Sequence, residues 1–346
     1  MKLAAAVNLG PLAAGAALLV ASAGLYACTA GLEPSSTSTG AGGSGGAAAS
    51  TTSSSASTGG GAATTTSGGS SGTGGAAPAC AATTFGGVAR PAKLHVPATY
   101  ACDKPAPLVI MLHGYGVTSV SEEAYLGLLA ESDKRGFLYV APDGTKDATT
   151  SEFWNATEAC CDYSSSMVDD SAYLSLLIKE IAAEYSVDAK RVYVVGHSAG
   201  AFMAHRLACD HGDQIAGIVS LEGAMYQDAT KCPGTTPVSV LEIHGTSDAI
   251  IAYSGGFIYA KPFPSAPTTV GDWAKIDACG AADMSGAPLD LDASLPGNET
   301  TITAYAGCKG GTSVQLWSVQ GGAHFPTLST TFVPTVFDFL YAQKKP

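Results

Sequence analysis

Charged side chains are almost absent from the first 79 of the 346 residues of this sequence. That segment contains only Lys2 and Glu33, so the whole net charge of −12 belongs to residues 80–346. An acidic domain repels phosphate groups, which argues against nucleic acids and anionic membranes as partners. A membrane-spanning run is missing from the start of the chain too. The apolar stretch at residues 12–20 is too short and too rich in alanine to cross a bilayer.

That apolar stretch, preceded by one lysine, is instead typical of an export signal. The letters LYAC at residues 25–28 resemble the lipobox of bacterial lipoproteins, in which the cysteine carries a lipid. The alternative is ordinary secretion with cleavage near Ala23 or Ala27. We predict lipidation at Cys28 and an extracellular or cell-surface protein anchored in the outer membrane, with this lipid as its only membrane contact.

Three segments follow from the composition. Residues 1–28 form the export signal. Residues 34–79 are almost wholly Gly, Ser, Thr and Ala, so 29–79 is predicted to be an unfolded tether. Residues 80–346 are long enough for one large catalytic domain with a substantial core.

Strand-like and helix-like patterns alternate along this domain. Strands are predicted at residues 93–96, 107–112, 137–141, 191–195, 214–221, 238–243 and 314–319, and helices at 119–134, 167–185, 199–209 and 331–343. The alternation predicts an α/β fold with a mostly parallel central sheet and helices on both faces. Functional sites on such sheets lie at the carboxyl ends of the strands. The long stretch at 249–313 is available to shape a pocket. Asp169 and Asp170 are interpreted as partners of a helix dipole rather than catalytic acids.

The letters GHSAG at residues 196–200 match G-x-S-x-G between a strand-like run and a helix-like run. A strand, a glycine-flanked turn and a helix in this order form a nucleophile elbow, in which the backbones pass too closely for any Cβ. We therefore predict Ser198 as a nucleophile. The alternative is a glycine-rich connection with a serine of no function.

A serine nucleophile needs a base, and the base needs an orienting acid. In this type of fold the chain order is serine, acid, histidine. Asp248 ends HGTSD directly after the strand at 238–243, and His324 is the only histidine beyond it. The alternatives are a turn-capping aspartate and a loop histidine without a role. A histidine base predicts activity that rises with pH through an apparent pKa near ~6.5–7.

Acyl transfer also needs donors for the oxyanion. The backbone N–H of Ala199 is predicted to supply one, and that of Tyr115, in preference to Gly114, the other. His113 and His244 are interpreted as supporting their turns by hydrogen bonds.

The motifs LHGYG, FWNATEACCD, VDD, RVYVVGHSAG, IHGTSD and GGAHFP occur in this order. Together they resemble the secreted polyhydroxybutyrate depolymerase and feruloyl esterase group of the α/β-hydrolases, over roughly residues 80–340. The resemblance implies an α/β-hydrolase fold and a Ser-His-Asp esterase without cofactor. It also implies a polymeric ester substrate, either a hydroxyalkanoate polyester or an ester-decorated plant polysaccharide. Trp154 and Asn155 fall in one of these motifs and are expected to bind substrate, or else to belong to the core. Ala201 and the absence of a tryptophan after His324 depart from the family pattern.

Eight cysteines remain when Cys28 is set aside, an even number that suggests disulfides in an exported chain. Proximity favours Cys209 with Cys232 and Cys279 with Cys308. Cys80, Cys102, Cys160 and Cys161 are left open between an adjacent 160–161 pair and crossed pairings. No metal site is expected, because neither a histidine nor C-x-x-C accompanies the adjacent cysteines.

The favoured function is therefore an exported serine esterase that forms an acyl-enzyme. The alternatives are a non-catalytic surface binding protein on a hydrolase scaffold, or a peptidase or lipase of the same fold. The sequence indicates no particular oligomeric state.

Overall fold

The computed structural model describes residues 79–233 and 236–346. The predicted export signal, the lipidation site Cys28 and all but the last residue of the predicted tether lie outside the described residues. Within the described ranges, no helix has the length and apolar character needed to cross a membrane.

Helices and strands alternate along most of the described chain. The helices are α1 Ser119–Leu126, α2 Leu129–Arg135, α3 Asp170–Glu184, α4 Ala199–His211, α5 Ala266–Ile276 and α6 Phe332–Tyr341. The strands are β1 Thr84–Phe85, β2 Ala92–His95, β3 Ala106–Leu112, β4 Leu138–Val140, β5 Thr145–Lys146, β6 Glu152–Phe153, β7 Val187–His197, β8 Gly217–Leu221, β9 Ser239–Gly245, β10 Gly256–Ile258, β11 Lys261–Phe263, β12 Ala282–Asp283, β13 Thr300–Tyr305 and β14 Val314–Val319.

Ten of these strands form one sheet in the order β1-β2-β4-β3-β7-β8-β9-β14-β13-β12. The six strands from β4 to β14 in that order run parallel to one another. Antiparallel strands close both edges, with β2 on β4 and β13 on β14. The predicted mostly parallel sheet is confirmed, and it places the carboxyl ends of the central strands at one rim.

The central strands are buried on both faces because helices cover each face. All seven residues of β3 are buried, and successive side chains point to opposite sides of the sheet. Leu108 packs in the core with residues of α3, α4 and α5, whereas Val109 packs in a second core with residues of α1 and α6. This explains why the strands appear in the sequence as continuous apolar runs rather than alternating ones.

Several predicted elements have different bounds in the structure, and two of these differences are instructive. The helix predicted at 119–134 is two helices, because Gly127 ends α1 in the left-handed conformation (φ 69°). The strand predicted at 214–221 starts only at Gly217, since α4 continues to His211. Within 249–313, the sequence reading missed α5 and β13. Ser265 caps α5 and a proline occupies its first turn, which is a helix-start signal present in the sequence.

The cysteines pair as 80–102, 160–161, 209–232 and 279–308 in the structure. Of the alternatives left open, the adjacent pair is therefore the one that occurs. The two aspartates at the start of α3 are structural, as interpreted. Asp169 caps the helix by accepting from Ala172, and the fully buried Asp170 pairs with Arg90 at 2.5 Å.

Candidate active site

Ser198 stands between β7 and α4 in a strained backbone conformation, with φ 53° and ψ −118°. Such strain in a residue other than glycine persists only where the surrounding structure enforces it, and it clusters at functional sites. The flanking glycines permit this close packing. A Cβ on Gly196 would overlap the carbonyl group of Gly200, and a Cβ on Gly200 would overlap the carbonyl group of Leu112. The segment therefore has the geometry of a nucleophile elbow.

The structure brings Ser198, His324 and Asp248 together at the rim of the sheet. His324 Nε2 lies 2.9 Å from Ser198 Oγ, and His324 Nδ1 lies 2.7 Å from Asp248 Oδ2. Because Asp248 Oδ2 is an acceptor, Nδ1 carries a proton and Nε2 is free to accept one from the serine. This is the arrangement in which a serine can be deprotonated as it attacks.

Asp248 is buried and fixed by its own loop. The backbone N–H groups of Ile250 and Ile251 donate to its Oδ1 at 2.7 and 2.9 Å. Burial raises the pKa of Asp248, but hydrogen bonds from His244 and His324 outweigh it and hold that pKa well below its ordinary value. Asp248 is therefore a carboxylate at neutral pH, suited to stabilising a positive charge on His324.

The turn after β3 lies against the serine. A Cβ built on Gly114 would be 3.6 Å from the Cβ of Ser198. The Gly114 N–H donates to Glu122 Oε2 at 2.9 Å and is thus occupied, which favours the Tyr115 N–H as the second oxyanion donor. The Ala199 N–H, at the first position of α4, has no acceptor within its helix. His113 supports this turn as interpreted, with Nδ1 2.7 Å from the Gly114 carbonyl oxygen and Nε2 accepting from Gly144.

Glu122 and His197 are site residues that the sequence reading missed. Both are buried, and His197 Nδ1 lies 2.8 Å from Glu122 Oε1. His197 Nε2 donates to the backbone oxygen of His324 at 3.1 Å. This pair therefore connects the turn after β3 to the loop that carries His324. The available signal was the histidine inside GHSAG itself, whereas Glu122 resembles an exposed helix residue in the sequence.

Trp154 and Asn155 do not line the cleft, so the expectation of substrate contact is corrected. Trp154 is 0% exposed, and its Nε1–H donates to the His113 carbonyl oxygen at 3.0 Å. The Asn155 side chain donates to the Val168 carbonyl oxygen at 2.8 Å. Trp154 therefore supports the turn after β3 by packing its ring against His113, whereas Asn155 holds the segment that leads into α3.

Comparison with known proteins agrees with this geometry. A family described as phospholipase/carboxylesterase matches residues 98–266, which include Ser198 and Asp248. Feruloyl esterase B of Piromyces equi is 29% identical over 236 residues, which are 66% of this chain and 41% of that protein. The chain is therefore similar to esterases of the α/β-hydrolase fold.

Two further proteins are similar to this chain. A bifunctional acetylxylan esterase/xylanase of Neocallimastix patriciarum is 23% identical over 259 residues, 73% of this chain and 33% of that protein. The solved acetyl xylan esterase from Aspergillus awamori shares the fold, with a TM-score of 0.50 and 15% identity over 73% of this chain and 94% of that one. The chain thus spans less than half of the length of the two curated relatives named here.

The cleft beside the triad is an open cavity of about 420 Å³ above Ser198. Its walls are largely apolar and aromatic, and Ser198 and His324 are the members of the hydrogen-bonded triad that line it. The lining residues are Tyr115, Cys160, Cys161, Tyr163, Ser198, Ile250, Ile251, Phe257, Ile258, Tyr259, His324 and Phe325. Such a surface suits an apolar or aromatic group attached to the ester.

A short hairpin, β10–β11, forms one rim of this cleft. Its turn residues Tyr259 and Ala260 both have positive φ, 45° and 65°. A bulky residue rarely takes this conformation, which is strained. Phe257 and Tyr259 are 74% and 80% exposed, and the Tyr259 ring lies 4.8 Å from that of Tyr163. The hairpin therefore presents aromatic rings to solvent at the cleft that Ser198 lines.

Glu222, His244 and Asp248 place one potential metal-ligand atom each within 4.8 Å of one another. His244 Nε2 lies 2.8 Å from the Ile251 carbonyl oxygen, an acceptor, so this nitrogen carries a proton and has no lone pair for a metal. The Asp248 oxygens are already engaged by His324 and the loop N–H groups. This donor set fits a hydrogen-bonded support for Asp248 rather than a metal centre.

The pH dependence of ester hydrolysis should follow His324. Burial lowers the pKa of His324, the Asp248 carboxylate opposes this, and the net shift is below the ordinary 6.5. Because the neutral imidazole is the base, kcat/KM is expected to fall as pH decreases through an apparent pKa below 6.5. This apparent pKa is lower than the ~6.5–7 that the sequence predicts for a histidine base. The check is kcat/KM for p-nitrophenyl butyrate between about pH 4 and 8. A flat profile, or a midpoint above ~7, would contradict this assignment.

Proposed function

We propose that the protein is an exported serine carboxylic-ester hydrolase that works through an acyl-enzyme on Ser198. The observation that carries the proposal is the continuous hydrogen-bonded series from Ser198 through His324 to Asp248. It opens into a cleft at the carboxyl ends of the parallel strands, where α/β folds place their sites.

In this mechanism the Ser198 oxygen attacks the ester carbonyl while His324 Nε2 accepts the serine proton. The bond to the alcohol breaks, and His324 returns the proton to the departing alcohol. Water then attacks the acyl-serine while His324 accepts the proton of the water. His324 returns this proton to the Ser198 oxygen, which releases the acid and frees the serine. The N–H groups of Ala199 and Tyr115 stabilise the oxyanion, each contributing about 10²–10³ in rate.

The proposed substrate is a polymeric ester, with feruloyl or acetyl groups on plant polysaccharide favoured over polyhydroxyalkanoate. The aromatic cleft supports this choice, since an exposed apolar rim marks a surface that binds something large. A neighbouring cavity of about 520 Å³ shares Tyr163, Ile258 and Tyr259 with the cleft. The binding surface therefore extends well beyond the room needed for one short acyl group. Relatives named as feruloyl and acetylxylan esterases agree with it.

Export and lipidation belong to the same proposal. The signal-like start and the tether composition support them, and four cysteine pairs suit an oxidising compartment. Mass spectrometry of the mature N-terminal peptide tests the anchor. A diacylglyceryl group on Cys28 is expected, and an unmodified cleaved terminus would argue for plain secretion.

A panel of esters tests the activity. It contains methyl ferulate, acetylated xylan, hydroxybutyrate oligomers and p-nitrophenyl butyrate, with casein and a long-chain triglyceride as peptidase and lipase arms. Release of ferulate or acetate is expected. Dominant hydrolysis of hydroxybutyrate oligomers would replace the polysaccharide assignment, and hydrolysis of no ester would favour a binding protein on a hydrolase scaffold.

The aromatic side chains at the rim of the cleft should affect the hydrolysis of polymeric substrates only. The double substitution Phe257→Ala/Tyr259→Ala is expected to lower kcat/KM on acetylated xylan by about tenfold or more, because exposed aromatic anchors dominate binding. Turnover of p-nitrophenyl acetate should stay within about twofold, since the truncated rings lie outside the triad. Val120→Ala/Met284→Ala is a matched control that removes two exposed apolar side chains outside the cleft lining. Equal losses on both substrates would refute a polymer-binding rim.

A further inference from the structure

A chain of buried polar side chains continues behind Asp248, on the side away from the cleft. His244 Nδ1 lies 3.1 Å from Glu242 Oε1, and Glu242 Oε2 lies 3.0 Å from His205 Nε2. The Trp273 Nε1–H donates to His205 Nδ1 at 2.9 Å. All four side chains are at most 1% exposed. They come from α4, β9 and α5, so three elements converge on the triad acid.

The tryptophan determines where the protons lie. Because an indole N–H only donates, His205 Nδ1 must accept, and the single proton of this imidazole is on Nε2. That proton is donated to Glu242 Oε2. Glu242 Oε1 then has one remaining partner, His244 Nδ1. Since His244 Nε2 already carries a proton toward the Ile251 carbonyl oxygen at 2.8 Å, a carboxylate at Glu242 requires a fully protonated imidazolium at His244.

We propose that Glu242 holds His244 as a buried imidazolium, and that His244 is a positioning residue for Asp248. This inference rests on the proposed Ser-His-Asp function. The imidazolium donates from Nε2 to Ile251, whose own N–H holds Asp248 Oδ1. The same Nε2 lies 3.5 Å from Asp248 Oδ2. It therefore fixes the loop and places a positive charge behind the carboxylate that orients His324.

The surrounding charges agree with this proton placement. Burial lowers the pKa of His244, but its hydrogen bonds to Asp248 and Glu242 outweigh this and raise that pKa well above the ordinary value. Burial raises the pKa of Glu242, yet hydrogen bonds from His205 and His244 bring it below normal. Glu222, which faces His244 Nε2 at 3.4 Å, has its pKa raised well above normal by burial, which disfavours its charged form. Glu242 is thus the counter-charge of His244 on the side away from the triad.

Glu242→Gln tests the proposal because glutamine preserves every hydrogen bond. Its carbonyl oxygen accepts from His205 and its NH₂ group donates to His244 Nδ1, which leaves His244 neutral. The positive charge on His244 is then lost. Because that charge is closer to His324 than Glu242 is, its loss raises the pKa of His324. The acid limb of kcat/KM for p-nitrophenyl butyrate is expected to move up by about half a pH unit or more, with KM nearly unchanged. A purely structural role would lower thermal stability and leave the limb where it is.

Asp277→Asn is the matched control, a fully buried carboxyl that is hydrogen-bonded to Thr312 and lies outside the network. The acid limb of the kcat/KM profile of Asp277→Asn should match that of the wild-type protein. If Glu242→Gln does not fold, the imidazole ¹⁵N spectrum of the wild-type protein at about pH 8 gives a second readout, since an ordinary histidine is neutral there. A doubly protonated signal assigned to His244 is expected, and a neutral His244 would overturn the proposal. An unmoved limb in a folded Glu242→Gln variant would also overturn it, whereas activity in Ser198→Ala would refute the proposed function instead.

Discussion

Ser198→Ala is expected to lower kcat for p-nitrophenyl butyrate by about 10⁵–10⁶-fold. The variant loses the only atom that forms the acyl-enzyme, while the oxyanion donors and the cleft remain. The fold should persist, because the substitution removes one hydroxyl at a turn whose glycines are unchanged. The measurement is steady-state kinetics with far-UV circular dichroism as the check on folding.

Ser175→Ala is a suitable control for Ser198→Ala. Ser175 is a buried serine of α3 whose hydroxyl accepts a hydrogen bond from Gln214 at 2.7 Å. This variant should retain wild-type turnover. A folded Ser198→Ala protein that kept turnover within about a hundredfold of wild type would contradict an acyl-serine.

Asp248→Asn should have the second-largest effect, because it inverts the hydrogen bonding of His324. The Ile250 and Ile251 N–H groups both donate to Oδ1, so the asparagine must place its carbonyl oxygen there. Its NH₂ group then faces His324 Nδ1, which has to accept. The proton moves to Nε2, and the imidazole is unable to take one from Ser198. A fall of about 10⁴-fold in kcat is expected, with KM little changed.

The comparison of Asp248→Asn with wild type needs crystal structures of both, since the loss is due to the tautomer only if the His324 ring has not moved. An Asp248→Asn variant with His324 still 2.9 Å from the serine, as in wild type, and with a loss below about tenfold would show that Asp248 does not set the tautomer.

Local sequence patterns predicted the parts of the site that depend on neighbouring residues. The glycines around Ser198, the strand before it and the helix after it are contiguous, so their geometry could be predicted. His324 and Asp248 were predictable from their order along the chain, because parallel strands bring their carboxyl ends to one rim. The central strands were recognisable because burial on both faces leaves a continuous apolar run.

Residues that act through long-range contacts gave no such signal. Glu122 resembles a solvent-facing residue in its helix, yet it is buried against His197, 75 positions away. Trp273 lies in a helix that the sequence reading missed, and its partner His205 is 68 positions distant. The hairpin that carries Tyr259 depends on two residues with positive φ, a conformation that side chains of this kind disfavour. Tertiary packing decides each of these positions, and local propensity does not reveal it.

Covalent labelling with a fluorophosphonate is the decisive test of Ser198 as the nucleophile, because the reagent reacts only with a serine activated by a correctly placed base. One phosphonate per folded protein is expected, located on Ser198 by peptide mass spectrometry and abolished in the His324→Ala variant. A protein that stays unlabelled, or carries the label on another residue, would show that Ser198 is not the nucleophile.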